Sequence, residues 1–148
     1  MYIDGASSRE GSGSGVVLIS PTQQKVTISY KLQFSTTNNT AEYEALLLGM
    51  KATKYLGDEQ LIAFGDSKLV IKQVRNNYQV KNSKFKNYRN EVWDLIEHYF
   101  STFNINFVTR EENQIADSLA MAASNFKVPL DVKVIYDVQI KKIGRAHV

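Results

Sequence analysis

The sequence predicts an α/β domain built on one mixed β-sheet covered by helices. Three observations carry that expectation. The elements read in the order β-β-β-α-β-α-α-β-α, the short apolar run "LIAF" (61–64) is bounded by turn residues, and "KVTISYKLQF" (25–34) alternates polar with apolar. A run of the first kind fits a strand buried on both faces, and alternation fits a strand with one wet face. Neither a repeat nor a linker interrupts the chain before Leu130.

Tyr2-Ile3 is read as the stump of a first strand that ends at Asp4-Gly5, followed by a Gly/Ser-rich turn, "SSREGSGSG". "VVLIS" (16–20) and residues 25–34 then form a meander around Pro21-Thr22. A helix is expected from about Asn39 to Leu56, closed by Gly57 in the left-handed conformation. "SKLVIKQVR" reads as a helix after the "LIAF" strand. "KFKNYRNEVWDLIEHYF" reads as a longer one, with Phe85, Tyr88, Val92, Leu95 or Ile96, and Tyr99 on one face. "INFV" (105–108) is the last strand and "NQIADSLAMAAS" the last helix.

Composition narrows the chemistry. The 148 residues, 43% hydrophobic, suit one globular domain, and the absence of cysteine excludes disulfides, thiolate nucleophiles and sulfur-ligated zinc. No apolar run reaches the roughly 20 residues of a membrane span, and the N-terminus lacks the pattern of a secretory signal, so an intracellular setting is expected. Net charge is +3, of which the residues after Leu130 carry +2, so local placement of cations must decide whether nucleic acid is a partner.

Four carboxylates fall at element ends. Asp4 ends the first strand, Glu42 lies in the first turn of the first helix, Asp66 follows "LIAFG", and Asp117 lies one turn into the last helix. Each has an ordinary reading: a turn pair for Asp4-Gly5, a capping box for Asn39-x-x-Glu42, a helix cap for Asp66, a solvated face for Asp117. Their joint placement says more, because open α/β sheets gather ligands at strand carboxyl ends. Glu42 heads a packing face of Ala45, Leu46 and Gly49, whereas Glu44 leads through Lys51 toward solvent. Four converging carboxylates repel one another unless hard divalent cations join them, and an oxygen-only donor set favours Mg²⁺ or Mn²⁺ over zinc. Two such ions about 4 Å apart can serve an in-line phosphoryl displacement.

"YIDGASS", "TNNTAEYEALL", "FGDSKLV" and "REENQIADSLA", in that order and spacing, resemble the ribonuclease H domain. The nearest type is that of plant gypsy-type LTR retrotransposon polyproteins, and the similarity spans residues 1–127. It implies a ribonuclease H-like fold, with a five-stranded sheet of three antiparallel plus two parallel strands flanked by helices. It also implies an Asp-Glu-Asp-Asp site at Asp4, Glu42, Asp66 and Asp117, and two-metal hydrolysis of the RNA strand of an RNA–DNA hybrid. The partners implied are that hybrid and the reverse transcriptase and integrase domains of the same polyprotein, with the domain itself a monomer. Residues 128–142 are then an extension. "IGRAHV" (143–148) resembles one frame of a sequencing adapter, and with Met1 set directly before a core strand it points to a reading frame cut at both ends.

By the same resemblance Asn39 takes the contact with the ribose 2′-hydroxyl, supported by Asn38 and Thr37. The segment from Ser7 to Gly15 faces the RNA strand, although it departs from the family's commoner Gly-Asn-Pro-Gly form. Lys68, Lys72 and Arg75, at i, i+4 and i+7, form a stripe for the DNA backbone, continued by Lys81, Lys84, Lys86 and Arg89. A solvated face is the plainer reading of that stripe. Phe85, Tyr88 and Trp93 are assigned to packing. Many relatives carry a histidine in the loop before the last aspartate, and here "VTREENQIAD" has none, since His98 lies in the long helix and His147 in the tail; either Arg110 or Glu111 partly fills that role, or turnover is slower. Asn113 is either the cap of the last helix or a group that orients the site. Competing readings are a hybrid-binding module without turnover, another nuclease or integrase of the superfamily, and a structural domain between polymerase and integrase.

Overall fold

The computed structural model describes residues 1–75 and 80–126. The elements are β1 (Tyr2–Ser8), β2 (Gly11–Ile19), β3 (Lys25–Lys31), α1 (Asn38–Tyr55), β4 (Gln60–Gly65), α2 (Lys68–Arg75), α3 (Ser83–His98), β5 (Thr102–Phe107) and α4 (Gln114–Asn125). They form one five-stranded sheet in the order β3-β2-β1-β4-β5. β1, β2 and β3 pair antiparallel, and β4 and β5 continue parallel to β1, as expected. Among the described residues no helix is long and apolar enough to cross a membrane. The extension and the adapter-like tail lie outside the described residues.

The glycine- and serine-rich stretch differs from the expectation. Only Arg9 and Glu10 turn; Ser7 and Ser8 complete β1, and Gly11–Gly15 open β2. The glycines seat a helix instead of making a long turn. A Cβ at Gly13 would lie 2.5 Å from the Ala120 carbonyl oxygen, and one at Gly15 would lie 2.1 Å from that of Ala116. α4 therefore rests directly on β2. Residues without side chains show no alternation, which hides such a strand from a periodicity reading.

Asp4 is consequently the third residue of a seven-residue strand and does not end it. Register nonetheless puts it beside Asp66: Tyr2 pairs with Phe64, so the two aspartates, each two residues further on, stand level where β4 stops. Asp4 pairs with Gly15, and paired residues share a face, so Asp4 points to the side that α4 covers. Gly5 pairs with Ser14 and faces α1, whose Ala41 carbonyl accepts from the Ser14 hydroxyl at 2.9 Å.

α1 fills the core with Tyr43, Leu46 and Met50, all fully buried, against Ile3 and Val16. Gly57, at φ +85°, ends it as predicted. α3 lies along its flank, where the Tyr43 ring stacks on Tyr88 at 5.4 Å and meets Phe85 at 5.9 Å, and the Trp93 indole donates to the Val74 carbonyl at 2.9 Å. Those aromatics are packing residues, as assigned. On the same flank Glu44 accepts from the Tyr88 hydroxyl at 2.7 Å, and further along that face Lys51 pairs with Glu91 at 3.1 Å, both side chains exposed, so the face borders α3 and runs out to solvent at Lys51, as expected.

Candidate active site

Gly5 sets how closely α1 approaches the sheet. A Cβ there would lie 2.3 Å from the Glu42 nitrogen and 2.4 Å from the Ala41 carbonyl carbon, so only hydrogen lets the helix backbone rest on β1. The Gly5 N–H then donates to Asp4 Oδ1 at 2.9 Å and to Glu42 Oε2 at 3.1 Å. Helix α1 is capped by Thr37, whose hydroxyl accepts from the Thr40 N–H at 3.3 Å. Glu42 therefore lies two residues deeper in the helix than expected, takes no part in capping, and is buried with 3% of its surface exposed. The capping-box reading fails because a threonine two residues upstream of Asn39 already satisfies the helix end.

Asp66 is not a cap either. That task falls to Ser67, whose hydroxyl accepts from the Val70 N–H at 3.2 Å. Asp4, Glu42 and Asp66 each present a carboxylate oxygen within 4.8 Å of the others. Asp117, in the first turn of α4, lines the same cleft on the side to which Asp4 points and helps to raise the Asp4 carboxyl. Asn113 precedes α4 without capping it; its amide donates to the Ile3 carbonyl at 2.8 Å and ties the start of α4 to the residue before Asp4. Its side chain therefore does not serve as the helix cap.

Burial first, then the hydrogen bond with Asp117 and the charge of Asp66, push the Asp4 carboxyl up to about 8. Glu42 is held well above the usual carboxylate range by burial, then by the charges of Asp4 and Asp66. Its Oε1 is buried and meets no hydrogen-bond donor among the described residues. Gly65 leaves that oxygen its space, since a Cβ there would stand 2.8 Å away. Buried acids crowded together, one oxygen unsatisfied, and an oxygen-only donor set fit a hard divalent cation such as Mg²⁺ or Mn²⁺.

The carboxylates line a cleft of about 750 Å³. Ser7, Asn38 and Asn39 give it a polar part, and Asn39 Oδ1 accepts from the Ser67 hydroxyl at 2.9 Å. The Ser7 hydroxyl donates to the Thr36 carbonyl, whereas Gly13 and Gly15 are covered by α4, so only the start of the Ser7–Gly15 segment reaches the cleft. Lys68 and Arg110 supply cations.

The basic stripe splits. Lys68 lines the cleft; Lys72 is exposed outside its lining; Arg75 donates to the Ile105 carbonyl at 2.7 Å and to Asn106 Oδ1 at 2.8 Å. The last turn of α2 lies against β5, whose polar groups engage the guanidinium. Thr37 is likewise a helix cap and not a lining residue. Arg89 is buried with its guanidinium 4.3 Å from the Trp93 ring centre, and Lys84 donates to the Thr36 hydroxyl at 3.2 Å. His98 is exposed on α3, away from the cleft lining, and His147 is outside the described residues. Sequence reasoning missed the apolar part of the cleft: Leu69, Phe107 and Met121, exposed by 38, 45 and 49%. Alternation in "FNINF" assigns Phe107 to the core side of β5, and only its position at the strand end exposes it.

Residues 3–123 match the family described as "Reverse transcriptase-like". The chain belongs to this family of ribonuclease H-like domains. It is 32% identical over 124 residues to ribonuclease HI of Halobacterium salinarum, covering 82% of this chain and 62% of that protein. The crystal structure of RNase H1 from the same archaeon superposes with a TM-score of 0.73 at 30% identity, over 82% of this chain and 93% of that one. The N-terminal RNase H domain of a Mycobacterium tuberculosis protein gives 0.70 at 28% identity, over 84% and 92% of the two chains. An RNase H1 named LC11, crystallised in complex with an RNA/DNA hybrid, gives 0.72 at 25% identity, over 84% and 94%. The chain thus spans 62% of the halobacterial enzyme's length and 23% of the M. tuberculosis bifunctional protein's. The fold expected from the resemblance is the fold of these relatives.

Proposed function

We propose that this domain is a metal-dependent endonuclease that hydrolyses the RNA strand of RNA–DNA hybrids. One observation carries the reading: Asp4, Glu42 and Asp66 converge within 4.8 Å, with Asp117 in the same cleft, and a buried Glu42 oxygen meets no donor among the described residues. These four side chains are assigned as ligands of a Mg²⁺ pair, with Mn²⁺ as a substitute. Bound there, the ions supply an activated water and neutralise the departing oxygen.

The rest of the work falls to the protein. The Gly5 N–H fixes one oxygen each of Asp4 and Glu42, which directs their free oxygens. Asn113 fixes the strand beneath Asp4 through the Ile3 carbonyl. With its Oδ1 engaged by Ser67, Asn39 keeps its amide N–H groups for a ribose 2′-hydroxyl, flanked by Asn38 and Ser7. Thr37 acts by setting the start of α1. Lys68, with Lys72 further along α2, meets backbone phosphate; Arg75 is withdrawn from that set by β5. Arg110, in the cleft, takes the place of the histidine that many relatives carry.

The hybrid-bound LC11 structure and the halobacterial relative support this substrate. The quoted motifs and the family's description support an origin in an LTR retrotransposon polyprotein, with reverse transcriptase and integrase domains as covalent neighbours. The flanking nucleotides test that origin. Activity is tested with a labelled RNA–DNA hybrid in Mg²⁺ or EDTA, beside duplex DNA and duplex RNA. Metal-dependent cleavage of the hybrid alone is expected. Retention without cleavage would make the domain a binding module.

A further inference from the structure

Phe107 closes β5 and leaves 45% of its surface exposed inside the cleft, where it cannot be serving the core. The Lys68 ammonium stands 5.2 Å from the centre of its ring. Lys68 begins α2, two residues beyond Asp66, in a cleft that four carboxylates share. Coulomb attraction should draw an ammonium onto any ionised carboxylate of that cleft. Among the described residues it forms no ion pair, and Lys51–Glu91 is the only one. The ring occupies it instead.

We propose that Phe107 is a positioning residue whose ring holds the Lys68 ammonium beside the carboxylate cluster without contact to it, ready for a backbone phosphate of the nucleic acid in the cleft. This rests on the nuclease reading above. Two consequences follow from elementary physics. A lysine is a flexible point charge with much rotamer freedom, so a face that pre-orders it strengthens each phosphate contact. Keeping the ammonium off the carboxylates also preserves the negative charge that divalent ions need. An exposed cation–π contact is worth roughly a two- to fivefold change in an equilibrium constant.

The test is a double-mutant cycle of Phe107→Leu and Lys68→Met on the full chain. Its readouts are anisotropy of a labelled hybrid in EDTA across a salt series, and KM and kcat in Mg²⁺. Phe107→Leu should weaken binding and raise KM by roughly two- to fivefold with kcat little changed. Lys68→Met should lower the salt slope by about 0.9. Adding Phe107→Leu to Lys68→Met should cost nothing further, and Phe107→Trp should bind at least as well as the native chain. Losses that simply add, or a Phe107→Leu protein with native Kd and KM, would overturn the proposal while the nuclease reading stands. A native chain that binds no hybrid would overturn both.

Discussion

The carboxylate cluster and the basic helix α2 differ in how they are built. Asp4 and Glu42 are buried and share one backbone N–H donor, and Asp117 of α4 lines the cleft beside Asp4. Their positions follow from where main chain meets main chain, at Gly5 and beneath α4. The cations of α2 are long side chains on one helix, and three residues at helical spacing go to three fates: Lys68 to the cleft, Lys72 to solvent, Arg75 to β5. Backbone geometry fixes the acids, and side-chain competition decides the bases.

That contrast can be broken most sharply at Asp66. Asp66→Asn should lower cleavage by at least roughly 10²–10³-fold, the scale of losing one charge-stabilising group. Hybrid binding at low salt should largely survive in a gel-shift assay, because phosphate contacts lie elsewhere. Near-native turnover in that variant would remove Asp66 from the site.

Gly5→Ala addresses the backbone side of the comparison. The new Cβ would meet main-chain atoms at 2.3 and 2.4 Å, which cannot yield as a flexible side chain can. Destabilisation of about 1–3 kcal/mol in urea melts is expected, with loss of cleavage beyond what the unfolded fraction explains.

The buried acids also predict an unusual pH dependence. In the metal-free fold the Asp4 carboxyl titrates at about 8, against 3.8 when unfolded. The unfolded chain therefore releases a proton that the folded chain keeps. Stability from this group is complete below about pH 4 and is lost as pH rises toward 8. The melting temperature in EDTA should fall by roughly 5 °C or more between pH 5 and 8. Asp4→Asn should flatten the curve, and saturating Mg²⁺ should restore stability at pH 8. A flat native curve would mean that the cluster carries no such strain.

The smallest effects sharpen the basic side. Arg110→Ala should reduce kcat; if it and Glu111→Ala both leave kcat unchanged, no residue of this loop replaces the histidine. Arg75→Ala should lower stability by about 1 kcal/mol through its lost bonds to β5 and leave the salt dependence of hybrid binding unaltered.

Most of the fold was legible because its elements carry strong periodic signals: "LIAF" as β4, the core face of α3, and Gly57 at the end of α1. The extent of β1 and β2 was not, since "SGSG" has no apolar side chains to alternate with polar ones and looks like a turn. The four carboxylates could be singled out because each sits beside a turn residue or a helix start. Their partners could not. Nothing local tells that Asn113 reaches Ile3 across the sheet, that Gly65 leaves room for a Glu42 oxygen, or that Arg75 is engaged by β5. Those contacts bridge distant segments, and they exist only once the sheet order is set.

Calorimetric titration of Mn²⁺ and Mg²⁺ into the native chain and into Asp4→Asn tests the acidic cluster most directly. Saturable divalent-ion uptake by the native protein is expected, with proton release at neutral pH as Asp4, whose carboxyl is pushed up to about 8, gives up its proton, and a marked loss of both in the variant. Equal heats in the two proteins, or no uptake by the native chain, would contradict it.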